Sequence, residues 1–275
     1  MAQQGSGRAG TLVLVGCGQM GSAMLRGWRD RGAAERYIVI EPAGRHAALA
    51  GAVDVEWHAA ADELSDGLGP DAVVFAVKPQ IIDSVLPNYR RWAQPRSLFL
   101  SIAAGKTLAG IARHLGEAAI VRAMPNTPAA IGRAITVACP NRHVTEAHRH
   151  LCDALLASIG ESTWAEDEAL MDAVTAVSGS GPAYVFLLIE ALAAAGERCG
   201  LPAELALRLA RETVAGAGEL ARASSESPAR LRENVTSPGG TTRAALDVLM
   251  AENGLPALMQ RAVAAATARS RELAN

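Results

Sequence analysis

A glycine-rich segment near the start of the chain has residue types suited to holding phosphate. The hexapeptide Gly16-Cys17-Gly18-Gln19-Met20-Gly21 follows an apolar run and precedes an amphipathic stretch. Glycines there allow a tight strand-to-helix turn and let the backbone approach a pyrophosphate at the positive end of the helix. A purely structural glycine turn is the alternative. The strand–turn–helix context favours dinucleotide binding, with all six residues as candidate contacts.

Glu41 and Arg45, which follow the second predicted strand, bear on which dinucleotide binds. Glu41 stands 20 residues after Gly21, and Arg45 follows shortly after it. An acid at this place usually accepts hydrogen bonds from the adenine ribose of NAD, whereas a nearby arginine can pair with the extra phosphate of NADP. Arg45 could equally be a solvated helix position. These residues leave the choice of cofactor open.

Further candidates end strands at the same predicted sheet edge. They are Ala76-Val77-Lys78-Pro79 and Ile102-Ala103-Ala104. Ligands bind outside the carboxyl ends of parallel strands, so these small residues would let a cofactor lie close to the backbone. Lys78 is expected to contact phosphate or cofactor, with a strand-end cap as the alternative. Asn126 would either face the nicotinamide or cap a turn.

A hydroxyl-rich loop in the last third of the chain is suited to receive a carboxylate or phosphate. The segment Ser237-Pro238-Gly239-Gly240-Thr241-Thr242 precedes an amphipathic stretch, so backbone N–H groups would point outward from a helix N-terminus. The alternative is an elaborate N-cap in which Thr241 or Thr242 does the capping. Two glycines among several hydroxyl groups exceed what a cap needs, which favours an anion site.

Two segments near the middle of the chain are less specific. Ser178–Tyr184 would line a pocket or let two helices cross closely, and the crossing is favoured. The acidic run Glu166-Asp167-Glu168 either places negative charge at a helix N-terminus or lets Glu168 attract a cationic substrate.

Hydrophobic patterning predicts the elements that position these residues. From Thr11 to about Trp164, short apolar runs alternate with amphipathic stretches, as in a parallel sheet with crossover helices. Beyond Asp167 only helices are predicted. The expected fold is α/β, with a Rossmann-type dinucleotide-binding domain over residues 1–165 and an all-helical dimerisation and substrate-binding domain over residues 166–275. The strands are expected at Thr11–Val15, Tyr37–Ile40, Ala72–Val77, Ser97–Ile102, Ile120–Ala123, Ile135–Ala138 and Ser162–Trp164. Helices are expected between them at Met20–Arg31, Gln80–Trp92, Leu108–Leu115 and Thr145–Ile159.

Composition excludes several classes of protein. With 275 residues, half of them apolar and a net charge of -2, the chain is typical of a folded globule and unlike a nucleic-acid-binding protein. The scattered cysteines predict neither a zinc site nor a disulfide framework, and a reducing cytoplasm fits them. The polar start lacks a secretory signal. No membrane segment is predicted, because the apolar stretch around Pro182–Ala195 is shorter than a bilayer span. Pro182–Cys199 is apolar nearly all round, which predicts an intertwined dimer.

Five motifs together resemble pyrroline-5-carboxylate reductase, over the span from about Leu12 to Met250. They are the glycine-rich hexapeptide, Ala76-Val77-Lys78-Pro79-Gln80, Arg122-Ala123-Met124-Pro125-Asn126-Thr127-Pro128, Ser178-Gly179-Ser180-Gly181-Pro182-Ala183-Tyr184 and Glu233-Asn234-Val235-Thr236-Ser237-Pro238-Gly239-Gly240-Thr241-Thr242. The resemblance implies reduction of 1-pyrroline-5-carboxylate to L-proline, the last step of proline biosynthesis, with NADPH as cofactor and NADH as the alternative. It implies no metal.

The resemblance also implies roles for individual residues. Cys17, Gln19 and Met20, with the two strand-end segments above, would contact the cofactor. The substrate carboxylate would lie on the Ser237–Thr241 loop, and Thr242 would hydrogen-bond the ring nitrogen as a possible proton relay, with Glu168 and Asn234 nearby. In this family the loop and the cofactor site facing it come from different subunits. Where many members hold a 2′-phosphate, this chain has Glu41 and Pro42, which puts strict use of NADPH in doubt.

Alternatives remain beside this resemblance. A β-hydroxyacid dehydrogenase would carry a helical lysine after a glycine-rich segment, but both lysines, Lys78 and Lys106, precede the helical domain. A cofactor-sensing or scaffold protein would need the Ser237–Thr242 loop to be structural. The sequence leaves open the identity of the proton donor, activity on other cyclic imines, and assembly of dimers into a ring such as a pentamer of dimers.

Overall fold

A computed structural model of the chain describes residues 8–45, 49 and 51–274. The chain divides into two compact units, Met1–Gly179 together with Thr267–Asn275, and Ser180–Ala266. This division falls later along the chain than the predicted domain boundary between residues 165 and 166, and that boundary stays a prediction.

An eight-stranded sheet forms the centre of the first unit, with strand order β3-β2-β1-β4-β5-β6-β7-β8. The order reverses between β1 and β4, which is the switch point where ligands bind in doubly wound folds. The strands are β1 Ala9–Val15, β2 Ala34–Ile40, β3 Val55–His58, β4 Ala72–Phe75, β5 Leu98–Ser101, β6 Ala119–Met124, β7 Ala134–Pro140 and β8 Gly160–Trp164.

All neighbouring strands of this sheet are parallel except one pair. β6 and β7 run antiparallel, with Arg122 opposite Cys139. Only residues 125–133 connect them, and a parallel crossover needs a dozen or more residues. The expected parallel sheet is therefore confirmed except at this one pair. The short strand Val55–His58 was not expected, because glutamate and histidine interrupt its apolar pattern.

Helices cover the sheet and then form the second unit. In the first unit the helices are α1 Gln19–Arg31, α2 Ile82–Val85, α3 Leu108–Leu115, α4 Glu146–Ala157 and α5 Met171–Val174. They are followed by α6 Gly181–Arg198, α7 Ala203–Ala223, α8 Pro228–Asn234, α9 Thr241–Leu249 and α10 Leu255–Ala274. The predicted helix Gln80–Trp92 divides into α2 and a 3₁₀ stretch over Leu86–Trp92, which has a proline in its first turn.

The first unit buries a core on both faces of its sheet. In β1, Leu12 and Leu14 pack on one face and Val13 and Val15 on the other, so the strand is apolar throughout, as expected for a doubly covered sheet. On the first face, Trp28 of α1 is fully buried and its indole N–H donates to the carbonyl of Leu155, at 2.9 Å. This packing fixes α1, and with it the glycine-rich turn at its N-terminus.

The second unit buries few large side chains. Among its described residues, the buried apolar side chains are those of Ala193, Ala206 and Ala210. Large apolar residues of α6 are exposed instead, including Phe186 at 58% and Leu187 at 62%. Large apolar side chains exposed together on one helix mark an interaction site. The structure thus agrees with the expectation that these helices pack against another chain.

The apolar segment that contains α6 is longer than the sequence suggested. A π-helical turn over Thr175–Gly179 joins α5 to α6, so the glycines there do not end the helical path. The resulting helix, Glu168–Arg198, is long and apolar enough to cross a membrane by length and composition, and 11% of its most apolar window is buried. Helices that are covered by a partner subunit meet the same criteria.

We expect Leu187→Asp to convert the protein from a dimer to monomers or to prevent its folding, because the substitution places a charge on the apolar face of α6. Sedimentation of the purified protein measures this change. Ser225→Asp adds the same charge in the exposed turn between α7 and α8, and should leave the dimer intact. A stable L187D dimer would contradict the assignment of this face to a subunit contact.

Candidate cofactor and substrate sites

The glycine-rich turn at the end of β1 leaves no room for a side chain at its first and last glycines, Gly16 and Gly21. Gly16 has φ +88°, and a Cβ there would lie 2.8 Å from Cγ1 of Val77 and 3.0 Å from the carbonyl carbon of Ala76. A Cβ on Gly21 would lie 2.4 Å from the carbonyl oxygen of Gly16. Both glycines are therefore required by close backbone packing. The segment folds as the strand–turn–helix that the sequence predicts.

The second glycine of the motif, Gly18, faces open space. Gly18 is the N-cap of α1, with φ −71°, and a Cβ on it would meet nothing within 4 Å. Among the described residues no side chain caps this helix. The first N–H groups of α1 thus remain available, and the helix dipole favours an anion there. Gln19 and Met20 form the first turn beside this opening.

The strand-end segments lie at the same edge of the sheet. The N–H of Ala76 donates to the carbonyl of Val15 and the N–H of Ile102 donates to that of Phe75, so both segments extend the ladder. Ala103 is buried, Ala104 is partly exposed, and the side chain of Lys78 is exposed. Pro79 follows at the surface edge. The structure brings these predicted cofactor contacts together with the glycine-rich turn.

Glu41 is bound to that turn. Its Oε2 accepts a hydrogen bond from the N–H of Cys17 at 2.8 Å, and its Oε1 accepts one from the N–H of Ala43 at 3.0 Å. Arg45 lies beyond it, with its guanidinium carbon 5.9 Å from the ring centre of Trp57. Both candidate determinants of cofactor choice therefore stand at the end of β2, where the adenine ribose binds in folds of this type.

The thiol of Cys17 is buried and has a raised pKa. Burial raises the pKa of its thiol to about 11, with a further increase from the Glu41 carboxylate and a decrease from Arg26. The thiol is therefore neutral at physiological pH and is not a nucleophile. Because the N–H of Cys17 already binds Glu41, the first N–H groups of α1 are the groups of this turn that can hold a ligand.

Asn126 uses its side chain within the first unit. Its Oδ1 accepts from the N–H of Ile135 at 3.1 Å, and its Nδ2 donates to the carbonyl of Ser178 at 3.2 Å. The residue is 9% exposed. Asn126 stands at the N-cap of the 3₁₀ turn Thr127–Ile131, but its side chain makes no capping hydrogen bond there, and a contact to the nicotinamide stays a prediction.

Glu168 pairs with a buried arginine. Its Oε1 accepts from Nη1 of Arg122 at 3.0 Å and from the N–H of Leu108, at the start of α3, at 2.8 Å. The Arg122 side chain is 6% exposed, and a buried guanidinium needs such a partner. Attraction of a cationic substrate by Glu168 stays a prediction. Sequence reasoning missed Arg122 as a partner, although a charged residue inside the apolar run Ile120–Ala123 is a recognisable signal.

The hydroxyl-rich loop leads into the open end of α9. Gly239 has φ +68°, Gly240 is the N-cap, and no described side chain caps the helix. Thr241 and Thr242 are the first two residues of α9 and do not cap it. This geometry removes the capping alternative and leaves the first N–H groups of the helix free for an anion.

Close packing shapes this loop as well. The N–H of Gly240 donates to the carbonyl of Ser237 at 3.1 Å, and a Cβ on Gly240 would lie 2.4 Å from the Ser237 hydroxyl oxygen. The hydroxyl of Thr236 donates to the carbonyl of Arg232 at 2.6 Å. Asn234 is exposed and donates from Nδ2 to Glu226 at 3.0 Å, so its amide is engaged inside the same unit.

The residues of the first unit fit a dinucleotide. An open Cβ position at Gly18, an uncapped helix N-terminus and a carboxylate at the end of β2 match the pyrophosphate and ribose in turn. Within the described part of the chain, no group of three or more histidine, cysteine or acidic side chains is placed to hold a metal ion.

Two family models match the chain over separate ranges. Residues 168–273 match the model for pyrroline-5-carboxylate reductase dimerisation. Residues 11–105 match the model for NADP oxidoreductase, coenzyme F420-dependent.

Comparison with known proteins points the same way. The chain is 41% identical to a pyrroline-5-carboxylate reductase of Pseudomonas aeruginosa, over 96% of this chain and 97% of that one. The solved pyrroline-5-carboxylate reductase of Coxiella burnetii has a TM-score of 0.88 at 33% identity, covering 96% of this chain and 98% of that one. The Plasmodium falciparum pyrroline carboxylate reductase, solved with NADP bound, has a TM-score of 0.81 at 31% identity with the same coverage.

We expect Gly18→Ala to weaken NADH and NADPH binding by roughly tenfold or more while leaving the unfolding temperature of the unliganded protein unchanged. The new methyl group meets no protein atom, but it occupies the space where a pyrophosphate approaches the backbone. Gly67→Ala is the matched control, since Gly67 precedes β4 at the opposite end of that strand. Fluorescence titration gives both affinities, and unchanged cofactor binding in G18A would contradict the site.

Proposed function

Because the chain belongs to the pyrroline-5-carboxylate reductase family, we propose that it reduces the C=N bond of 1-pyrroline-5-carboxylate to give L-proline, with NADH or NADPH as reductant. This reaction is the last step of proline biosynthesis. The observation that carries the proposal is the hydroxyl-rich loop Ser237–Thr242, whose glycine N-cap leaves the N-terminus of α9 open to a carboxylate.

The first unit binds the cofactor in this proposal. The turn Gly16–Gly21 holds the pyrophosphate through the N–H groups of α1, and Glu41 stands at the adenine ribose. Ala76–Pro79 and Ile102–Ala104 provide an edge of small residues along which the cofactor lies. When bound, the reduced nicotinamide supplies a hydride.

The second unit binds the substrate carboxylate. The N–H groups of Thr241 and Thr242, with the Ser237 hydroxyl, offer neutral donors at the positive end of α9. The Thr242 hydroxyl is the hydrogen-bond partner of the ring nitrogen, and it can relay a proton between that nitrogen and solvent. Glu168 and Asn234 take part by positioning, because their polar atoms already bond to Arg122 and Glu226.

The reaction needs orientation more than a tuned acid–base pair. A protonated cyclic imine is already electrophilic, so hydride addition to the ring carbon neutralises the C=N⁺ group and leaves an amine. Holding the carboxylate and the nitrogen in a fixed geometry converts an encounter of two molecules into a step within one complex. The chain therefore requires no catalytic His–Asp pair.

The dimerisation match covers residues 168–273, which include α6 and α7 with their exposed apolar side chains, and it supports oligomerisation of the chain. We propose a homodimer in the cytoplasm, in which a second copy rather than lipid covers Glu168–Arg198. The small surplus of negative charge, -2, supports neither a nucleic acid nor an anionic membrane as a partner. A larger ring, such as a pentamer of dimers, remains a prediction.

We expect Thr242→Ala to lower kcat/KM for 1-pyrroline-5-carboxylate roughly 10- to 100-fold, the size expected for losing a hydrogen bond to a charged group of about 1.5–3 kcal/mol. The Kd for NADH should not change, and Thr242→Ser should restore most of the rate. Thr163→Ala, on the exposed side of β8, is the matched control.

Initial rates from cofactor absorbance test this prediction. Full activity in T242A would contradict the role of Thr242. A protein that binds cofactor but turns over no 1-pyrroline-5-carboxylate would contradict the proposed function and favour a cofactor sensor or a reductase of another imine.

A further inference from the structure

We propose that Glu41 makes the cofactor site of this chain selective for NADH over NADPH. The inference rests on the proposed function, because it concerns the reductant of that reaction. It depends on where the carboxylate lies, which hydrogen-bond donors it already occupies and which it can still accept.

The sheet fixes the position of Glu41. The N–H of Gly16 donates to the carbonyl of Ile40 at 2.9 Å, and the N–H of Glu41 donates to that of His58 at 2.9 Å. Glu41 therefore extends β2 by one residue. It lies between the start of the glycine-rich turn and the end of β3. In a doubly wound fold this is the place of the adenine ribose, where the 2′-oxygen distinguishes NADH from NADPH.

Both oxygens of the carboxylate are held by backbone donors. The N–H of Cys17 binds Oε2 at 2.8 Å, and the N–H of Ala43 binds Oε1 at 3.0 Å. An ionised carboxylate has about four acceptor positions. Two positions therefore remain, and they suit the two hydroxyl groups of an unmodified ribose, which are hydrogen-bond donors.

A 2′-phosphate has the opposite requirements. It carries close to two negative charges and only acceptors at neutral pH, so it needs donors or cations. The backbone donors nearest the carboxylate, from Cys17 and Ala43, are already occupied by Glu41. The phosphate would instead lie beside the negative charge of the Glu41 carboxylate, which would repel it.

The electrostatics of the turn agree with this arrangement. Burial raises the pKa of the Cys17 thiol most, the Glu41 carboxylate raises it further, and Arg26 lowers it, so the negative charge of Glu41 acts on the turn. The negative charge of Glu41 lies in direct contact with the turn through its bond to the Cys17 N–H.

Among the described residues, Arg45 is the exposed cation next to Glu41 that could reverse the selectivity. Its guanidinium lies 5.9 Å from the Trp57 ring centre, and the residue is exposed. An exposed cation on a flexible side chain is screened by solvent, whereas Glu41 is held by two hydrogen bonds. We therefore assign the selectivity to Glu41 and treat Arg45 as the rival to be tested.

Equilibrium titration of the purified protein with NADH and with NADPH, followed by cofactor fluorescence, tests the assignment without any substrate. The wild-type protein should bind NADH at least tenfold more tightly than NADPH. Glu41→Gln should narrow that ratio at least tenfold, chiefly through tighter NADPH binding, and Glu41→Asp should retain the preference. Glu35→Gln removes the same charge near the start of β2 and should leave the ratio unchanged.

Each other outcome has a defined meaning. A wild-type ratio of one or below, or a ratio unchanged in E41Q, overturns the inference while leaving the proposed function intact. A ratio that changes only in Arg45→Ala gives the selectivity to the arginine and also overturns it. Binding of neither cofactor contradicts the proposed function itself. If E41Q does not fold, the wild-type ratio and E41D still decide the question.

Discussion

Backbone packing at the end of β1 leaves no space for a side chain at Gly16 or Gly21, the two glycines on either side of the open position at Gly18. A Cβ on Gly21 would overlap the carbonyl of Gly16, and a Cβ on Gly16 would overlap Val77. This contact holds α1 against the sheet edge with its first N–H groups open. The position of Glu41 depends on it too, because the carboxylate binds the N–H of Cys17 inside the same turn.

The two units meet the need for a stable core in different ways. The first unit covers both faces of its sheet with large side chains such as Trp28 and Phe99, so the strand ends that present small residues are rigidly supported. The second unit exposes Phe186 and Leu187 and buries mainly alanines. These exposed apolar side chains are available for the subunit contact that the dimerisation match at residues 168–273 indicates.

Local pattern was sufficient for much of the fold. Apolar runs between breakers identified seven of the eight strands, and helix α3, Leu108–Leu115, was predicted with its observed bounds. The short strand Val55–His58 and the antiparallel β7 depend on long-range pairing, which local periodicity does not show. The residues of the site were predicted from short sequence motifs. The hydrogen-bond partners of Glu168 and Asn126 were not predicted, because Arg122 and Ser178 lie 46 and 52 residues away from them in sequence.

The central claim is that the chain delivers hydride to the C=N carbon of a cyclic imine. NADH deuterated at the transferable position of its nicotinamide, incubated with the protein and 1-pyrroline-5-carboxylate, tests it by mass spectrometry of the product. We predict L-proline carrying one deuterium at the former C=N carbon for each cofactor oxidised. Cofactor oxidation without labelled proline, or no oxidation despite cofactor binding, would contradict the claim.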